Sequence, residues 1–374
     1  MYLSPSANIL YSMNSNTNHK PGQLIICGLS GTTLTTEEKK FITDEEIAGV
    51  ILFSKNYESP EQLATLCNSI QALRKEYPLF ISVDHEGGRV IRFKNDFTQF
   101  PPMLMLAQTD SPKLCFDAHS IMGQELSLCG INVNFAPCCD IFSNPQNKVI
   151  GDRAFGTTAP QVEKLISSAI RGLQTHGVLS CAKHFPGHGD TMEDSHYHLP
   201  RTNISLDEMR KREWLPFAKA IRSRVEMVMM AHMIVDSIDP ELPCSLSPKA
   251  YQLLREEFKF SKIVVTDDMQ MKAITDHFTA EKAAVLGLLA GADMLLYRDM
   301  SQAHLAVNAL KEALKTIQLK NELFEEKVTR TILSRKNHFT QYKPIYVPSV
   351  KDKVGSRAHQ IFLSDLLKRL DKNK

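Results

Sequence analysis

The chain has 374 residues, 43% hydrophobic and 23% charged, which sets it among folded globular proteins and away from the polar, highly charged chains that stay disordered. Lysine and arginine total 44 against 42 aspartates and glutamates, a formal charge of +2, and no long basic run could track a phosphate backbone, so no nucleic-acid partner is expected. The most apolar window, VEMVMMAHMIV at 225–235, carries Glu226 and His232 and is about half the ~20 residues needed to cross a bilayer, so no membrane partner is expected either.

In chain order, residues 1–21 are polar and rich in Asn and Ser, without the basic and apolar regions of a secretory signal. They are expected to form a flexible extension, with Met13 an alternative start. From residue 24 eight short apolar runs alternate with longer amphipathic stretches: LIICGLSG, VILFSKN, LFISVDHEGG, INVNFAPCCDI, LSCAKHFPGHGD, VEMVMMAHMIV, KIVVTDDMQM and ADMLLYRDM. Their apolar residues are contiguous, the pattern of parallel strands covered on both faces. Ser59-Pro60, Ser111-Pro112 and Ser247-Pro248 each place a capping hydroxyl before a proline suited to the first helical turn. Gly130, Gly177 and Gly291 fall where helices should close.

Eight strand–helix alternations predict an α/β protein with a (βα)8 barrel of the TIM type. Length alone would suggest two or three domains at ~150 residues each, but such barrels often occupy ~250 residues as one unit, and no linker divides the chain. The expected organisation is an extension over 1–21, a single barrel over 22–340, and a tail over 341–374 that ends in an amphipathic helix. Ile361, Phe362, Leu366 and Leu370 would share the apolar face of that helix. The eight cysteines form no CxxC pair and several lie in apolar runs, as expected of reduced, buried thiols in a cytoplasmic protein.

Active sites of such barrels form at the C-terminal ends of the strands, where this chain concentrates polar residues. The third run ends in Asp84-His85-Glu86, the fourth in Asp140 before a loop with Asp152 and Arg153, the fifth in Lys183-His184, the sixth in His232 and the seventh in Asp267-Asp268. Taken singly, His232 or Asp140 fits an internal hydrogen bond. Five ends aiming ionisable groups at one mouth imply a site, because desolvated charges require partners. After the fifth run, KHFPGHGDTMEDSHYHLP holds Asp194 and His196 two residues apart, so the carboxylate could orient an imidazole for general acid/base work. A metal site is the rival, since His184, His188, Asp190, His196 and His198 crowd together; the HExxH spacing is absent, and neither metal nor cofactor is expected. Asp267 could attack a carbon electrophile or stabilise a cationic transition state, so an acid/base on one loop and a carboxylate on another strand follow the logic of glycoside hydrolysis. Asp268 could instead be a structural neighbour or a helix cap, and spacing alone does not choose between the two aspartates.

The strings VDHEGGRVIRF, NFAPCCDI, IGDRAFG, KHFPGHGDTMEDSHYHLP, MAHM and VVTDDMQMKAI, in this order, resemble the motifs of family 3 glycoside hydrolases, in the branch of bacterial β-N-acetylglucosaminidases of peptidoglycan recycling. The resemblance covers roughly residues 22–340. It implies a retaining mechanism with Asp267 as nucleophile and an Asp194–His196 dyad as acid/base. It also implies that Asp84, Arg153, Lys183 and His184 hold the hydroxyls of N-acetylglucosamine and that His232 lines the same pocket. The family often has Gln where His85 stands. The implied substrate is an N-acetylglucosamine-containing muropeptide, met in the cytoplasm. Two alternatives stand beside this reading. One is a β-glucosidase or β-xylosidase of the same family, although those usually take their acid/base from a further C-terminal domain where this chain has a tail. The other is a barrel that binds muropeptide without turnover.

Overall fold

All eight apolar runs become strands. In a computed structural model, which describes residues 19–372 except 75, 192–198 and 340–341, they are β1 (Ile25–Gly28), β2 (Gly49–Leu52), β3 (Phe80–Val83), β4 (Val133–Asn134), β5 (Leu179–Phe185), β6 (Met227–Met230), β7 (Ile263–Asp268) and β8 (Met294–Tyr297). Every neighbouring pair is parallel, and β8 returns to β1 with Ile26 beside Leu296, closing the sheet into the expected α/β barrel.

The contiguous apolar runs follow from burial on both faces. Ile26, Ile51, Phe80, Met229, Val265 and Leu296 fill the barrel interior, while their chain neighbours Ile25, Val50, Ile81, Val228, Val264 and Leu295 pack outward with the helical layer. The N-terminal end of the barrel is plugged. Phe339, just after helix Asn321–His338, meets Phe80 edge-on at 5.9 Å, and the buried Arg335 guanidinium lies 4.6 Å from the Tyr77 ring centre while donating to Gln23 Oε1 at 2.5 Å. The site is left to the opposite end.

Of the three expected Ser-Pro helix starts, two are capped by the serine and one is not. Ser59 Oγ accepts from the Gln62 N–H and Ser111 Oγ from the Leu114 N–H, capping bonds that typically contribute about 1 kcal/mol each. Gly291 takes φ +137° after helix Ala280–Ala290, and a Cβ there would fall 2.6 Å from the Tyr251 Cβ. Ser247 is the exception: helix Pro248–Glu256 begins as expected, but the Ser247 hydroxyl donates to Asp239 Oδ2 at 2.7 Å and ties down the preceding loop instead of capping.

The tail does end in a helix, Arg357–Lys372, and of the four residues expected on its apolar face Phe362, Leu366 and Leu370 pack inward while Ile361 does not. Leu366 and Leu370 are buried, whereas Ile361 is 53% exposed. The rotation is set by His359, whose Nδ1 lies 2.7 Å from buried Glu125 Oε1. At 3.6 residues per turn Leu366 and Leu370 fall within about 20° of His359, and Ile361 lies about 200° away.

Candidate active site

A cavity of about 830 Å³ opens at the C-terminal ends of the strands. Its β3 wall is built by the two-residue period of extended chain, which carries Asp84 and Glu86 to one side and sends His85 to the other. His85 packs with Phe93 and Phe97 in the core, where burial draws its pKa down to about 4 and keeps the ring neutral. Asp84 accepts from Lys183 Nζ at 2.7 Å and pairs with Arg92 at 3.2 Å. Glu86 is the hub, taking Lys183 Nζ at 2.6 Å and two parallel bonds of 2.8 Å from Arg153. Burial alone would raise both carboxyls. The facing cations outweigh it, Lys183 and Arg92 at Asp84 and Arg153 and Lys183 at Glu86, and hold both below their ordinary values. Burial disfavours the Lys183 charge in turn, but Asp84 and Glu86 outweigh it and push its pKa up.

Alternation would send only one of Lys183 and His184 inward, yet both line the cavity, and the β5–β6 register shifts between Ala182 and Phe185. His184 is oriented from behind, with Nδ1 2.7 Å from Asp140 Oδ2 and Nε2 3.4 Å from Arg153. Asp140 is fully buried and also accepts the N–H groups of His184 and His188. Burial works against its charge, but His184 and these donors prevail and hold it down at about 2. Cys138, Asp140 and His184 bring three ligand-type atoms within 4.8 Å of one another. Burial, followed by the Asp140 charge, keeps the Cys138 thiol protonated, and it donates to Asp140 Oδ2 at 3.2 Å. The group reads as a hydrogen-bonded support for His184.

β7 delivers both aspartates to the cavity, with different partners. Asp268 is committed: it binds Arg298 Nε at 2.5 Å and accepts the N–H groups of Gln270 and Arg298, so it shapes the turn before helix Lys272–Thr275. Burial lifts its pKa to about 6 against the pull of Arg298. Asp267 accepts only the Asp268 N–H, at 2.7 Å, among the described residues, and keeps an oxygen free toward the cavity. Burial would favour its acid form. His184, His232, the Asp268 N–H and Lys183 outweigh it, and Asp267 stays ionised below its usual range.

Asp84, Arg153, Lys183, His184 and Asp267 are thus brought together at the mouth. His232 stands behind the wall: it is fully buried, with Nδ1 2.7 Å from Ser245 Oγ and Nε2 3.0 Å from the Asp268 carbonyl, and it steadies the backbone next to Asp267 without facing the cavity. Asp194 and His196 lie outside the described residues. Glu86 was expected at the mouth without a role of its own, and Arg92 and Arg298 were not expected there. Glu86 was within reach, since strand alternation puts it on the face of Asp84. Nothing local marks Arg298, whose partner Asp268 comes from the neighbouring strand.

The family model of the glycosyl hydrolase family 3 N-terminal domain matches residues 16–334. The β-hexosaminidase of Idiomarina loihiensis is 37% identical over 279 residues, spanning 73% of this chain and 83% of the relative. That of Pseudomonas aeruginosa PAO1 is 34% identical over 292 residues, 77% and 86%. Among solved structures, the family 3 β-N-acetylglucosaminidase of Paenibacillus sp. FPU-7 superposes with a TM-score of 0.87 at 33% identity, covering 93% of this chain and 67% of that one. NagZ of Neisseria gonorrhoeae, solved with N-trifluoroacetyl-D-glucosamine, does so at 0.78 and 31%, covering 93% and 99%. The chain belongs to glycosyl hydrolase family 3. It is a glycoside hydrolase, in the branch whose members carry the β-hexosaminidase and β-N-acetylglucosaminidase names.

Proposed function

We propose that this hydrolase is a retaining, exo-acting β-N-acetylglucosaminidase that removes terminal N-acetylglucosamine from peptidoglycan-derived muropeptides through a covalent glycosyl–Asp267 intermediate. The observation that carries the reading is the contrast on β7: Asp268 is held by Arg298, while ionised Asp267 keeps an oxygen toward the cavity with no partner among the described residues. A carboxylate in that state can attack the anomeric carbon or stabilise an oxocarbenium-like transition state.

Such a mechanism also needs a group that protonates the departing oxygen and later takes a proton from water. Asp84 and Glu86 are held ionised by their cations, and Asp268 is engaged with Arg298, so none of the other cavity carboxylates among the described residues is suited to that task. The segment that continues from β5 past Thr191 carries Asp194 and His196, and the dyad is assigned the role. Asp84, Arg153, Lys183 and His184 present fixed donors and acceptors to the sugar hydroxyls. An anionic aglycone, such as a muramyl group bearing carboxylates, suits a mouth where Lys272 has no acidic partner among the described residues and Arg89 and Arg298 stand nearby.

The cytoplasm is the proposed setting. Eight buried, unbridged cysteines fit a reducing compartment, and no helix among the described residues is long and apolar enough to cross a membrane. Proton NMR of the first-formed sugar, released from an aryl N-acetyl-β-glucosaminide, tests the mechanism. Retention gives the β-anomer first; the α-anomer first would eliminate a covalent Asp267 intermediate. The matching aryl glucoside should be turned over far more slowly, and comparable turnover would favour the β-glucosidase alternative.

A further inference from the structure

The segment that leaves β5 is gripped on two sides before residue 192. On one side is the loop after β4. Asp140 accepts the His188 N–H at 2.7 Å, Asn147 Nδ2 donates to the His188 carbonyl at 2.7 Å, and Gly189 is so close that a Cβ would lie 1.6 Å from the Ile141 carbonyl oxygen. On the other side is the start of helix Trp214–Arg222. Arg212 Nε donates to Glu213 Oε1 at 2.6 Å, and another nitrogen of the same guanidinium lies 3.3 Å from Asp190 Oδ2. Gly187, at φ +124°, presses on Glu213, where a Cβ would come within 2.9 Å of the Glu213 Cβ.

Glu213 does not line the cavity and takes no part in the ionic network around Glu86. It is 1% exposed, and its Oε2 has no hydrogen-bond partner among the described residues. Burying a carboxylate with one oxygen unsatisfied is costly, and an apolar side chain would fill the same space at lower cost. The cost is concentrated under Gly187, at the base of the segment that carries Asp194 and His196. Burial pushes the Glu213 pKa up to about 7 against the pull of Arg212, so the charge at this position depends on Arg212, which also reaches Asp190.

We propose that Glu213 and Arg212 form a clamp on the stem of the β5 segment and act as positioning residues for its acid/base, through Gly187 and Asp190. The inference rests on the Asp194–His196 reading above. Neither residue touches substrate; each sets where the dyad stands when the leaving group departs.

The test compares kcat/KM for aryl N-acetyl-β-glucosaminides with a poor leaving group (phenol) and an activated one (dinitrophenol), in Glu213→Gln, Arg212→Gln, Asp190→Asn and the Arg212→Gln/Asp190→Asn double variant. Misplacing the acid/base harms only the substrate that needs a proton. Loss of about tenfold on the phenyl glycoside and under about twofold on the dinitrophenyl one is expected, with the double variant no worse than the worse single. Equal loss on both substrates, no loss on either, or additive losses in the double variant would overturn the clamp. Should Glu213→Gln not fold, the half-exposed Arg212 and Asp190 carry the test alone. His196→Ala in the same assay separates the two claims. If it shows no dependence on the leaving group, the acid/base reading falls and the clamp with it. If it shows that dependence and Arg212→Gln does not, the clamp alone is refuted.

Discussion

Asp267 and Asp268 are adjacent carboxylates separated in role by what touches them. Among the described residues, Arg298 and two backbone N–H groups occupy Asp268, and a single backbone N–H occupies Asp267. Asp267→Ala should therefore lower kcat on an aryl N-acetyl-β-glucosaminide by about a thousandfold or more, with far-UV circular dichroism unchanged. Near-normal turnover would remove Asp267 from the mechanism. Glu86 has the opposite character, bridging Arg153 and Lys183, the second of which also pairs with Asp84. Glu86→Gln strips buried Arg153 of its carboxylate partner, leaves Lys183 with Asp84 alone, and should cost about 3–5 kcal/mol in chemical denaturation. The sequence showed most of these residues, because strand ends are readable as the places where apolar runs stop. It did not show their pairing: Arg92 with Asp84 and Arg298 with Asp268 depend on which side chains the closed barrel brings face to face.

At the scale of elements, the connection between β4 and β5 hangs on Asp140, which accepts three bonds from the β5 segment. Its pKa is lowered from 3.8 to about 2 in the fold, so the protein gains about 2 kcal/mol from this group above its unfolded pKa and loses it as pH falls from there through the folded value. Asp140→Asn should accordingly be less stable than the parent near pH 7, and the difference should shrink below about pH 4; a gap constant down to pH 2 would show that the charge contributes nothing. Helix starts were legible where the capping bond is local, as at Ser59 and Ser111. At Ser247 the local signal competed with Asp239, eight residues upstream, and lost.

At the scale of the whole molecule, the barrel was legible because strands buried on both faces leave contiguous apolar runs and the intervening helices leave caps. The docking of the tail was not, since a contact between His359 and Glu125, 234 residues apart, sets its rotation. Leu370→Ala should cost about 2–4 kcal/mol in thermal or chemical unfolding, whereas Ile361→Ser should be near neutral; the reverse order would place the buried face elsewhere. The barrel's larger role is to gather the polar ends of β3, β5 and β7, with Arg153 from the loop after β4, at one cavity and to leave Asp267 there ionised, with an oxygen that has no partner among the described residues. Mass spectrometry after incubation with a slow fluorinated N-acetyl-β-glucosaminide tests that claim most directly. A sugar adduct on the peptide containing Asp267, absent in Asp267→Ala, is the expected result. An adduct on another residue, or turnover with no adduct under conditions that trap a retaining relative, would contradict it.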